Sequence, residues 1–148
     1  MAYIGLKKRI KKNEGFRNRI YLDQLNNKTI GYGHLISEID KFEEGKEYTK
    51  TELTQVFEED FQRALNDFNK YYKKDNFKKK ENEILIEMIF QLGGKGVLRF
   101  KKFINELRKK NKHMAALEMM DSLWYRQTKK RANILISYLL GFNDKKRK

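Results

Sequence analysis

Three side chains raise the question of chemistry first: Glu14, Asp23 and Thr29. Glu14 stands at the end of a helical stretch, directly before Gly15. Asp23 falls where a strand pattern runs into a turn, and Thr29 begins the next strand. A hairpin folded beside a helix end can bring all three to one place. Two carboxylates flanking a bond between sugars are what glycoside hydrolysis requires. One must hold a proton at working pH, and partial burial raises a carboxyl pKa to that end. The other must stay ionised, and a threonine hydroxyl can hold the water between them. Spacing alone also admits a plainer reading, with Glu14 a solvated helix end and Asp23 a turn residue.

The elements that would position these groups are legible around them. Leu6 to Asn13 reads as a helix with Leu6 and Ile10 on one face. Gly15 stops it, a role glycine fills best. Ile20 and Leu22 lie two apart, with Tyr21 and Asp23 on the other face, and Asn26-Asn27 is a good turn pair. Thr29-Ile30-Gly31-Tyr32-Gly33-His34-Leu35 is β-branched, aromatic and punctuated by glycine. Phe16 to Leu35 therefore predicts a hairpin or a three-stranded sheet.

Beyond the sheet the pattern becomes helical. Thr49-Lys50-Thr51-Glu52 is a capping box. Leu53, Val56, Phe57, Phe61, Ala64, Leu65, Phe68 and Tyr72 follow at spacings of three and four, predicting one long amphipathic helix. Lys73 to Lys80 interrupts it. Ile84 to Leu92 is apolar nearly all round, as in a helix buried in a core, and Gly93-Gly94-Lys95-Gly96 ends it. Phe100 to Leu107, Met114 to Leu123 and Ala132 to Leu140 mark shorter helices, and Asn143 to Lys148 is expected to fray.

The class expected is α+β in a single domain, 1–148. A small β-containing N-terminal lobe (about 14–60) joins a helical C-terminal lobe (about 61–148) through the long helix. The first helix is expected to pack on the C-terminal lobe, with a ligand cleft between the two lobes.

Bulk composition narrows the partners. The chain has 148 residues, no cysteine and no proline, so neither disulfides nor thiolate metal sites contribute. No stretch approaches the ~20 apolar residues of a membrane span. Met1 to Lys8 lacks the apolar core of a signal peptide. The protein is thus expected to be made soluble in the cytoplasm. Lys and Arg number 34 against 20 Asp and Glu, a net charge of +14 that draws the protein to polyanions. A nucleic-acid binder fits the charge but not the rest of the pattern. The aromatics fall at core spacings, and the lysines are spread along the chain rather than gathered in a stripe. A membrane-disrupting cationic protein is the third reading, but Lys7 to Lys12 and Asp144 to Lys148 are too short or too polar for a strong amphipathic helix.

Other candidate residues each have an ordinary alternative. His34 can serve as a base, but its place in the strand pattern favours a structural histidine paired with Asp60. His113 reads as a surface residue. Trp124 and Tyr125 can stack on a sugar, yet their spacing with Leu123 favours core. Arg131 can steady the charge of Glu14 or simply belong to a basic helix face. No His, Asp and Glu cluster has metal-ligand spacing, so neither metal nor cofactor is expected. Gly31 and Gly33 lack the following helix of a phosphate loop.

The order of motifs adds a resemblance. Glu14-Gly15-Phe16-Arg17, Ile20-Tyr21-Leu22-Asp23 and Thr29-Ile30-Gly31-Tyr32-Gly33-His34-Leu35 closely resemble the phage-type lysozyme family, glycoside hydrolase family twenty-four. That family's pattern is a glutamate before glycine, an aspartate nine residues on and a threonine six further, then Ile-Gly-x-Gly-His. Met88 to Gly93 with Gly96-Val97 is similar to the family's central buried helix and its end. Trp124 to Thr128 followed by Arg131-Ala132 is similar to its cleft segment. The departures are a shorter segment between His34 and Thr49 and Lys129 in place of a proline.

The resemblance implies a muramidase. Glu14 would be general acid, Asp23 base or electrostatic partner, and Thr29 the holder of the attacking water. Leu35, Phe90 and Gln91 would bind substrate, with Arg131 and His34 in support. It further implies inverting cleavage of the β-1,4 bond between N-acetylmuramic acid and N-acetylglucosamine. The setting would be phage-driven cell lysis, by a monomer acting on peptidoglycan in the periplasm after export through a helper such as a holin.

Overall fold

A computed structural model describes residues 3–142. The fraying expected of Asn143 to Lys148 lies outside them. The fold is α+β, with two compact units, Met1–Arg63 and Ala64–Lys148.

The first unit opens with α1, Ile4–Glu14, which buries Leu6 and Ile10 one turn apart. Gly15 ends it at φ 74°, its N–H donating to the Lys11 carbonyl. The backbone leaves α1 in a conformation that side-chain-bearing residues rarely adopt. Three antiparallel strands follow: β1 (Arg17–Leu22), β2 (Lys28–Gly31) and β3 (His34–Leu35), in that spatial order. Tyr21 pairs with Thr29, and Thr29 with Leu35, so Thr29 sits in the central strand. Between the Arg17–Gly31 and Tyr21–Thr29 pairs, β1 carries an irregularity that bends it against β2.

Residues 36–49 contain no helix or strand. This is the shortened segment, and its end is set by the capping box. Thr49 Oγ1 accepts from Glu52 N–H at 3.0 Å while Glu52 Oε1 accepts from Thr49 N–H at 3.0 Å. The exposed Glu52 carboxyl is held below its ordinary pKa by the bonds it accepts from the Thr49 N–H and the Thr49 hydroxyl.

From there α2, Lys50–Tyr72, runs 23 residues. In the first unit it contributes Leu53, Phe57 and Phe61 to a core shared with Ile30 and Tyr32. The Tyr32 ring packs against Phe16 and, edge-on, against Phe57. Lys7 reaches Glu58 at 2.8 Å and fixes α1 to α2.

The second unit begins in the rest of α2 and continues through α3 (Lys79–Leu92), α4 (Gly94–Leu98), α5 (Lys101–Arg108), α6 (Lys112–Met120), α7 (Leu123–Gln127) and α8 (Lys129–Leu140). Helix α3 is the buried one, with every residue from Glu83 to Ile89 out of solvent. It packs against α4 and α8, while α6 packs against α5, α7 and α8. Arg108 grips Asp75 through two parallel bonds of 3.0 and 3.2 Å, holding α5 to the single turn after α2.

Two details depart from the sequence reading. Gly93 does end α3, but the glycines after it do not stay irregular: Gly94 to Leu98 fold into a short helix of their own. Met114, Leu117, Met120 and Leu123, read as the markers of a single helix, belong to two helices and point to solvent. Helix α6 instead buries Ala115, Ala116 and Met119. Small side chains let α6 approach its neighbours closely, and spacing alone does not say which of two apolar faces turns inward.

Candidate active site

The first unit assembles Glu14 from the end of one helix against the tip of a hairpin. Glu14 is the last residue of α1, and its side chain is half-buried. Its carboxyl group lies against Gly33, in the turn between β2 and β3. A methyl group on Gly33 would collide with Oε1 and stand 2.7 Å from Cδ. Gly33 also has φ of +73°, so two independent constraints ask for glycine there. The Gly33 in Thr29-Ile30-Gly31-Tyr32-Gly33-His34 is thus a space held open for the acid.

Asp23 is held by the turn after β1. Its Oδ1 accepts from the N–H groups of Leu25 and Asn27, both at 2.8 Å. Its own N–H donates to Asn27 O, and Asn26 takes φ of +63° at the bend. Asparagine tolerates that left-handed conformation, which is why Asn26-Asn27 signals the turn. The turn engages Oδ1 and leaves Oδ2 outside its own bonding. Thr29 is 2% exposed, and its Oγ1 donates to Asn27 O at 2.9 Å. With that proton committed, the hydroxyl oxygen is oriented to accept from any further partner.

Tyr21 is not among the residues singled out from sequence, yet its phenol feels the charge of both carboxylates. Burial pushes its phenol above the ordinary value. The charges of Glu14 and Asp23 push the same way, while Arg17 opposes them. The Arg17 guanidinium lies 4.8 Å from the Tyr21 ring centre. Both acids therefore act on a single protonated hydroxyl. The sequence signal is the alternation that sets Tyr21 and Asp23 on the same side of the strand pattern.

His34 sits between two carboxylates. Its Nδ1 is 2.8 Å from Asp60 on α2, the pairing expected, and its Nε2 is 2.9 Å from Asp40 in the 36–49 segment. Asp40 was not foreseen. It also accepts from Ser37 N–H and hydroxyl, and Arg63 reaches Asp60 at 2.9 Å. Burial pulls the His34 pKa down, but hydrogen bonds and charge from Asp60 and Asp40 outweigh it and the net shift is upward. For Asp40, burial acts upward and the Ser37 and His34 bonds prevail downward. Leu35, at the end of β3, is half-exposed.

The second unit holds the remaining candidates. Gln91, near the end of α3, accepts from the Trp124 indole N–H at 3.1 Å, which fixes its amide. Trp124 is buried, as its spacing suggested, and Phe90 is partly exposed. Arg131 on α8 stands 3.5 Å from the fully buried Glu87 of α3, and Tyr138 donates to the nearby Glu83 at 3.0 Å. His113 lies inside the first turn of α6, at the surface. Among the described residues no group of three or more His, Asp and Glu side chains has the arrangement to hold a metal ion.

The family description "Phage lysozyme" matches residues 11–137, a span that contains the candidate residues from Glu14 to Arg131. The chain belongs to the phage lysozyme family. This lysozyme is accordingly a glycoside hydrolase of the peptidoglycan-cleaving type. It is 32% identical to probable T4-type lysozyme 2 of Dictyostelium discoideum, over 90% of the chain and 92% of that protein. It is 30% identical to probable T4-type lysozyme 1 of the same organism, over 91% and 93%. It is also 30% identical to the pre-baseplate central spike protein Gp5 of Enterobacteria phage T4, where 90% of the chain matches 27% of the larger protein. No helix of the described residues is long and apolar enough to cross a membrane.

Two outcomes follow from this geometry. Gly33→Ala should place a methyl group where the Glu14 carboxyl lies. The left-handed backbone adds a cost of about 1–2 kcal/mol. Lytic activity should fall by much more than a melt at assay temperature can explain. Unchanged activity in a folded Gly33→Ala protein would contradict the placement of Glu14.

His34 supplies a pH signature. Its pKa is raised on folding, so its contribution is complete below its ordinary 6.5 and fades as pH rises through the higher folded value. The Asp40 pKa is lowered, so its contribution is complete above 3.8 and fades as pH falls through the lower folded value. The cluster should therefore add most between about pH 4 and 6.5. Urea unfolding across pH should show this excess in the wild type, and His34→Gln should flatten it. Parallel curves for the two proteins would contradict the cluster.

Proposed function

We propose that this lysozyme is a muramidase that cleaves the β-1,4 bond between N-acetylmuramic acid and N-acetylglucosamine. Glu14 serves as general acid, Asp23 as base and Thr29 as the holder of the water. The observation that carries the reading is the Glu14 carboxyl, half-buried at the end of α1 and lodged against Gly33. A half-buried carboxyl set against the backbone of a turn suits the donor of a proton to the leaving oxygen. Asp23 comes from the turn that follows β1, and Thr29 from the neighbouring strand β2.

In this mechanism Glu14 donates its proton to the glycosidic oxygen as the carbon–oxygen bond breaks. Water, donating to Thr29 Oγ1 and to Asp23 Oδ2, attacks the sugar carbon from the opposite face. Asp23 takes the water's proton, and a net inversion results. Leu35 of the first unit and Phe90 and Gln91 of the second act as substrate contacts, Arg131 neutralises the buried Glu87 within the second unit, and His34 holds the hairpin in place.

The setting is lysis of a bacterial host by a phage-type endolysin, acting as a monomer on peptidoglycan in the periplasm. Export would require a separate route such as a holin. The +14 charge favours residence on anionic wall polymers.

Glu14→Gln removes the proton while keeping the shape of the side chain. Clearing of purified peptidoglycan should slow by at least about 10²–10⁴-fold, with the melting temperature little changed. Activity near wild type in the folded variant would overturn the assignment.

A further inference from the structure

The outward face of α6 and the start of α7 carry a row of large apolar side chains. Met114 is 40% exposed, Leu117 54%, Met120 43% and Leu123 60%. The first three recur every third residue along α6, while Ala115, Ala116 and Met119 occupy the buried side. Only Asp121 and Ser122 separate α6 from Leu123, the first residue of α7. Scattered exposed leucines are ordinary, but four large apolar side chains within ten residues form a patch. The surrounding chain is strongly polar, with charged residues making up 36% of it.

The flanking charges indicate what the patch meets. Exposed Lys109, Lys110 and Lys112 lead into α6, and exposed Arg126 lies one turn beyond Leu123 on α7. These cations outnumber the acids of the stretch, Glu118 and Asp121. A second copy of the chain would bring two bodies of net charge +14 together, a repulsive encounter. A bare polyanion would satisfy the lysines and leave the methionines and leucines in water. A bilayer with anionic headgroups satisfies both, since its headgroups attract the lysines and its upper acyl layer accepts the short apolar row.

We propose that the α6–α7 face, centred on Leu117 and Leu123, is a docking surface for an anionic phospholipid membrane. The protein would lie on the membrane, with the apolar row entering the headgroup–acyl boundary and the lysines remaining among the phosphates. The inference is independent of the roles of Glu14, Asp23 and Thr29.

The test is co-sedimentation of the full chain with vesicles of phosphatidylglycerol and phosphatidylethanolamine, set against phosphatidylcholine vesicles. Binding should favour the anionic vesicles and weaken with salt. The double variant Leu117→Ser, Leu123→Ser should lose roughly tenfold or more in partitioning. Its melting temperature should match the wild type, because both side chains are solvent-facing. The chain has no cysteine, so Leu117→Cys provides a unique attachment point for an environment-sensitive dye. Its emission should shift to the blue on anionic vesicles, and this arm stands even if the double variant folds poorly. Equal binding by wild type and double variant, or a dye that does not shift while the protein binds, would overturn the proposal. So would self-association that depends on Leu117 and Leu123 in the absence of vesicle binding, which would identify a second copy as the occupant.

Discussion

The first unit depends on the contact between the Glu14 carboxyl and a turn that has no side chain at Gly33. Glu14 is fixed from one side by α1, whose Leu6 and Ile10 are buried and whose Lys7 is tied to Glu58. It is met from the other side by the β2–β3 turn, and the unusual φ of Gly33 lets the backbone come that close. Neither element could be moved without disturbing the other. His34, one residue after Gly33, is clamped by Asp60 of α2 and by Asp40. The same turn is therefore held open toward the acid and anchored on its far side by charge.

The polar network around this contact is built mostly from backbone. Asp23 is oriented by two N–H groups of its own turn, and Thr29 by the carbonyl of Asn27. Such local bonds are short loops in sequence and form with the hairpin itself. The ordering cost of the site is thus met largely by the formation of the sheet rather than by contacts particular to substrate. Tyr21 completes the arrangement from β1, placing one phenol under the influence of both carboxylates.

Much of this was legible in the residues because the signals were local. Gly15, Asn26-Asn27 and the Thr49–Glu52 box each act within a few positions, and the structure uses each of them where it stands. The burial of Leu6, Ile10, Phe57 and Trp124 follows from periodicity. What local rules did not reveal was tertiary. Asp40 reaches His34 only because the irregular 36–49 segment folds back, and no periodicity describes such a segment. Helix α6 presented two apolar faces, and the inward one was the face with the smaller side chains, a choice made by its neighbours α5, α7 and α8. The helix from Gly94 to Leu98 forms despite two glycines, Gly94 being itself buried, where glycine permits close packing that propensity does not describe.

In the proposed mechanism Asp23 and Thr29 handle a water molecule rather than supply a covalent bond to the sugar, and every other assigned role follows from that. Proton NMR of the first product released from a soluble muropeptide oligomer reads the outcome directly. Attack by water opposite the leaving group predicts that the new reducing end appears first as the α-anomer and then mutarotates. First appearance of the β-anomer would show retained configuration, and would contradict the roles given to Asp23 and Thr29.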